Sequence, residues 1–233
     1  MEVFDVLWFF DEYYLLLVLP AIVLAMIAQG RVRSAYNKYS KVKTSRAVTG
    51  AEAARQILSE NGIGDVRIEP VGGRLTDHYD PRANVIRLSE GVYHSSSVSA
   101  VGIAAHEAGH AVQYADGYAP VRIRSAIIPI TQFGSYITMP LILMGIILSL
   151  PFLVNLGIIF FGAAVIFQII TLPVEFNASS RAVRALESSG MFEYGEIDMA
   201  KKVLSAAAMT YLAALAVSLA QFIRIIMLGR NRR

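Results

Sequence analysis

Cysteine is absent from the 233-residue chain. That excludes a disulfide framework, thiolate metal sites and a cysteine nucleophile. Charge is sparse as well: Asp, Glu, Lys and Arg make up 17% of the residues, against about 25% in ordinary globular proteins. Histidine occurs only four times, so imidazole chemistry must come from His78, His94, His106 and His110. There is no internal repeat and no low-complexity tract. The basic residues accompany no nucleic-acid-binding module, which sets nucleic acid aside as a partner. What the chain does have is apolar residues: 55% are hydrophobic, above the roughly 45–50% usual for soluble domains, and they are gathered in long runs.

Four of these runs approach the about 20 apolar residues that cross a bilayer. The first, 13–30, carries no charge and is preceded by Trp8, Phe9, Phe10, Tyr13 and Tyr14, an arrangement that suits an interfacial aromatic belt. Glu2, Asp5, Asp11 and Glu12 stand where a cleaved signal peptide would be basic, so a retained anchor is expected. The second run, 126–150, is interrupted by Pro129 and Pro140, and its first part reads as a connector. The third covers 152–172 and the fourth 203–223. Arg31, Arg33, Lys38, Lys41, Lys43 and Arg46 follow the first span with no acid among them. By the positive-inside rule, the N-terminus then faces outward and the segment 31–124 the cytoplasm of a multi-pass cell-membrane protein. Arg224, Arg230, Arg232 and Arg233 oppose that rule if the fourth run crosses fully, so this run is expected either to span or to lie at the interface.

The polar stretch between the first two spans has the length of a small domain. Thr49 and Glu52 form a capping-box pattern before a helix ending near Asn61. Strands are expected at 66–71 and 84–88, with a turn at Gly72-Gly73. Ser95 to Ser99 offer N-caps for a helix over 98–114. The strand at 84–88 is expected either as the edge to which an extended substrate adds or as a purely structural strand. His78 and Asp80 either orient a site, stabilise a tetrahedral oxyanion or cap the backbone of a proline-containing turn.

On the 98–114 helix, His106-Glu107-Ala108-Gly109-His110 has the form H-E-x-x-H. Residues four apart share a helix face, so both imidazoles can bind one Zn²⁺. Glu107, one step round, can act as general base on a zinc-bound water. Gly109 would let another backbone or a substrate approach. A catalytic zinc takes three protein ligands, and Glu175, His78 and His94 are the candidates for the third. Glu175 is favoured: it follows Leu172-Pro173-Val174, where a helix is expected to begin, and a metal would relieve the cost of a charge at a membrane-proximal site. A zinc-stabilised scaffold or regulatory subunit is the alternative, and Glu107 argues against it, because a structural site needs no base.

The sequence resembles the YugP-like family of bacterial membrane zinc metallopeptidases. The resemblance lies in Leu75-Thr76-Asp77-His78-Tyr79-Asp80-Pro81, in Val85-Ile86-Arg87-Leu88-Ser89, in the segment from Ala104 to Gln113 around the histidines, and in Leu172-Pro173-Val174-Glu175-Phe176-Asn177-Ala178-Ser179. That family is distantly similar to the HtpX-type membrane gluzincins and the CAAX prenyl endopeptidases. The resemblance implies that Glu175 is the third zinc ligand. The wider group has an Asp four residues after that glutamate, where this chain has Ser179, so support for the histidines is expected from elsewhere.

The expected fold is a mainly α membrane protein, with about four transmembrane helices and a small α+β zincin-like catalytic domain carrying the H-E-x-x-H helix. The expected divisions are an anchor over 1–30, the catalytic domain over 31–125, a transmembrane hairpin over 126–173, a helix bearing the third ligand over 174–202, and a C-terminal spanning or interfacial helix over 203–233. The expected activity is zinc-dependent endopeptidase cleavage of membrane-associated or misfolded proteins. Glu107 would be catalytic, with His106, His110 and Glu175 holding Zn²⁺. The partners are the lipid bilayer and a peptide or protein substrate, with room for membrane-protein partners or a homo-oligomer.

Overall fold

The computed structural model describes residues 11–230. Trp8, Phe9 and Phe10 of the expected aromatic belt, the acidic Glu2 and Asp5, and the basic Arg232 and Arg233 lie outside the described residues. The chain is mainly helical, and four of its helices are long and apolar enough to cross a membrane: Tyr14–Tyr39, Ala119–Ile147, Pro151–Ser188 and Tyr194–Leu228. It divides into two compact units. One is made of the residues up to 28 together with 123–172 and 210 onward; the other comprises 29–122 and 173–209.

In the first unit, a π-helical turn, Tyr14–Val18, leads into α1 (Leu19–Tyr39). α5 (Ala119–Ile147) continues through Pro129 and Pro140, so its first part is not a connector. Within hydrocarbon, an exposed break would leave backbone groups unsatisfied, so proline is absorbed rather than allowed to end the helix. The hydroxyls of Thr131, Ser135 and Thr138 donate back to carbonyls of the preceding turn, which satisfies these polar groups without leaving the helix. α6 (Pro151–Ser188) likewise runs uninterrupted past Pro173. No helix begins there, and Glu175 is mid-helix rather than in a first turn. α7 spans Tyr194–Arg230.

An ion pair also lies in this unit. Arg224, on α7 and 5% exposed, meets the carboxylate of Asp11 at 2.6 Å, and its guanidinium lies 5.3 Å from the Tyr14 ring centroid. The start of the first apolar helix and the end of the last are therefore neighbours. Pairing also removes much of the reason to count Arg224 as a free positive charge when orientation is judged.

The second unit holds a three-stranded sheet in the order β1-β3-β2, with β1 Arg67–Val71, β2 His78–Asp80 and β3 Val85–Ser89. β1 runs parallel to β3, with Arg67 opposite Val85, and β2 runs antiparallel to it, with Tyr79 opposite Ile86. β3 is buried on both faces through Val85, Ile86 and Leu88, as a central strand should be. It therefore cannot be the edge that receives a substrate; the edges are β1 and β2. α2 (Gly50–Glu60) begins with the full capping box of Thr49 and Glu52, and buries Ala53, Ala54, Ile57 and Leu58 as one apolar face. Asn61 follows it as C-cap. A single turn, α3 (Glu90–Tyr93), leads to α4 (Val98–Ala115), whose N-cap Ser97 accepts from the Ala100 amide. α4 is buried on most sides, against residues that include Ile57, Ile86, Ala182 and Ala200.

Candidate metal centre

α4 places His106 and His110 one turn apart, with ring centroids 4.7 Å apart and planes at 82°. Both Nε2 atoms face the same oxygen of α6: Glu175 Oε2 lies 3.3 Å from His106 and 3.6 Å from His110. The ligand atoms of the three residues all fall within 4.8 Å of one another. Glu175 is 2% exposed. Two imidazole nitrogens and a carboxylate oxygen converging in a buried pocket are the donor set that zinc takes in catalytic sites. The residues present therefore fit such an ion.

The close approach of α6 depends on Gly109. A Cβ built there would lie 2.6 Å from the main-chain oxygen of Ala178. The expectation that Gly109 admits another backbone is thus met by α6. Gln113 reinforces the crossing by donating to the Val174 carbonyl at 2.8 Å and to Asn177 Oδ1 at 3.0 Å.

Each imidazole also has a partner behind it. His106 Nδ1 lies 3.1 Å from Ser179 Oγ, and His110 Nδ1 lies 3.0 Å from Gln113 Oε1. Ser179 thus occupies the supporting position itself. The sequence signals Gln113 only as an amide one turn beyond His110 in an otherwise apolar stretch. Burial by itself would lower the His110 pKa, but its hydrogen bond to Glu175 and the charges of Glu107 and Glu175 prevail and raise it. A site that favours a proton on this imidazole is also a site that favours a cation beside it.

Glu107 lies off the three-residue cluster. It is 8% exposed, and its Oε2 accepts the Tyr79 amide of β2 at 3.0 Å. β2 therefore runs beside Glu107, with the Tyr79 amide turned toward α4. Asp80 accepts from the amides of Arg82 and Ala83 and pairs with Arg87 at 3.0 Å, so it caps the turn and ties β2 to β3. His78 Nδ1 lies 2.7 Å from the Thr76 carbonyl, and the His94 ring packs edge-on against Tyr93 at 4.7 Å. Among the described residues, neither histidine joins the cluster of ligand atoms.

Residues 14–230 match the model of a family described as "Putative neutral zinc metallopeptidase". The chain is 49% identical over 220 residues to "Putative membrane protease YugP" of Bacillus subtilis (strain 168), covering 94% of this chain and 98% of that one. No solved structure matches the chain.

Proposed function

The chain belongs to the YugP-like family of zinc metallopeptidases, and from that membership we propose that it is a membrane-anchored zinc endopeptidase working through a zincin-like centre on α4 and α6. The observation that carries the proposal is the convergence of His106, His110 and Glu175 on one point, with Glu107 beside them but outside the donor set. His106, His110 and Glu175 would hold the metal. Zinc bound there would supply Lewis acidity toward the attacking water and the scissile carbonyl. Glu107 takes the proton of the attacking water as the new C–O bond forms, and then returns it to the amine nitrogen so that the peptide C–N bond breaks and the amine leaves. The Tyr79 amide holds the Glu107 carboxylate in place.

Purified protein is expected to carry about one zinc per chain, as a three-ligand catalytic site does. Glu107→Gln keeps the shape, and its amide oxygen can still accept from Tyr79, but it cannot take a proton. It should retain zinc and lose roughly 10²–10⁴-fold in cleavage of an unstructured membrane-tethered peptide. Equal cleavage at matched zinc content would remove Glu107 from the reaction. Inactivity of both forms across many substrates would favour a scaffold.

The six basic residues from Arg31 to Arg46 support a cytoplasmic position for the catalytic segment. A reporter near Gly62 should read cytoplasmic and one at the N-terminus external; the reverse pattern would move the centre to the outer face.

A further inference from the structure

The two histidines face Glu175 alike, but what stands behind them differs in kind. Ser179 Oγ, behind His106, is a rotating hydroxyl that donates or accepts, so it imposes no tautomer. Gln113, behind His110, is completely buried, and its amide is oriented from both ends. The Val174 carbonyl, 2.8 Å from Gln113 Nε2, can only accept. Asn177 Oδ1, 3.0 Å from the same nitrogen, accepts too, and is itself oriented by the obligate donor Arg181 Nε at 2.8 Å. Arg181 is held in turn by Asp116 and lies 6.0 Å from the Tyr118 ring centroid. Turning the Gln113 amide over would set its oxygen against two acceptors. Gln113 Oε1 must therefore face His110 Nδ1 as an acceptor, and Nδ1 must carry the hydrogen.

We propose that Gln113 is a positioning residue that fixes His110 as the Nδ1–H tautomer and leaves its Nε2 lone pair free for the ion that it would share with Glu175. The chain Asn177–Arg181–Asp116 holds the glutamine in that orientation. The inference rests on the zinc-centre reading and adds an asymmetry to it: His110 is a rigid donor and His106 an adjustable one. A neutral imidazole without this partner also populates the other tautomer, which points its N–H at the metal position and must convert before it can bind.

The test is the zinc affinity of purified full-length protein, measured by competition with a chromophoric chelator, which needs no substrate. Gln113→Met keeps the bulk and removes the acceptor, and should bind zinc about 10–100-fold more weakly than wild type. Gln113→Glu keeps an oxygen toward His110 Nδ1 but places the other against the Val174 carbonyl and Asn177 Oδ1. It should hold zinc more tightly than Gln113→Met even while folding less stably. A purely structural glutamine would give the opposite order, because a buried carboxylate facing two acceptors packs worse than a thioether. That reversed order, or wild-type affinity in Gln113→Met, overturns the proposal. If Gln113→Met does not accumulate, Arg181→Met at the partly exposed end of the chain carries the same test. A loss of roughly tenfold, the low end of the same range, is expected, and unchanged affinity overturns it. Wild-type protein that takes up no zinc overturns the centre itself, a result seen before any substitution is made.

Discussion

Gly109 lies between the two histidines, and its missing side chain is as much a part of the centre as their rings. Alanine there would favour the α4 helix by about 1 kcal/mol, yet its Cβ would meet the Ala178 carbonyl oxygen at 2.6 Å. Backbone cannot yield as a flexible side chain does, so α6 must move, and it carries both Glu175 and Ser179. Gly109→Ala is expected to lower zinc retention on dialysis against a chelator while leaving helical content unchanged; full retention would show that α6 has slack. At this scale the sequence was legible where chemistry is local. The four-residue step from His106 to His110 is a property of one helix. The partners of their Nδ1 atoms were not legible, because Ser179 reaches His106 only through the crossing of α4 with α6. The same holds for the Tyr79 amide at Glu107, since a main-chain donor leaves no mark in residue identity.

Among the elements, β2 has the largest consequence for its size: three residues that set the position of Glu107. The sequence gives no sign of it, because His-Tyr-Asp has no apolar alternation and is too short for propensity to register. What holds it is its pairing with β3 and the contact between Asp80 and Arg87. The Arg87 hydrogen bond, helped by the Ala83 and Arg82 amides, keeps the Asp80 carboxyl below its ordinary pKa. A carboxylate lowered on folding adds stability above its unfolded pKa, and that stability is lost as the pH falls through the lower folded value. β2 should therefore stay ordered from neutral pH down to about 4, the ordinary aspartate value, and loosen only in stronger acid. Hydrogen exchange at the Tyr79 amide should accelerate there in wild type, and Asp80→Asn should remove the pH step; a step that persists in the variant would assign it to another group. The proline-containing helices were misjudged for a related reason. Pro129, Pro140 and Pro173 signal breaks in water, whereas α5 and α6 pass through them in apolar surroundings where a break would be costlier.

For the molecule as a whole, four helices are long and apolar enough to cross a membrane, and the Asp11–Arg224 pair joins the start of the first to the end of the last. Asp11→Ala would leave a buried guanidinium without its carboxylate, and losing one partner of such a pair costs about 3–5 kcal/mol. Asp11→Leu with Arg224→Leu should recover most of that. Thermal denaturation in detergent distinguishes these outcomes, and a double variant no better than Asp11→Ala would mean that the pair is not the cause. The spans themselves were visible as hydrophobic runs; the pairing of their ends was not, because an acid and a base 213 positions apart carry no local signal. The same long-range economy governs the centre. With Glu175 as third donor, a ribosome completes both histidines first, then must make all of α5 and more than half of α6 before the carboxylate exists. On that reading the nascent segment 29–122 is born with an incomplete donor set. On the zinc-centre reading the donor set is complete only once α5 and the first part of α6 have been made, so no metal-dependent cleavage could precede the synthesis of those helices.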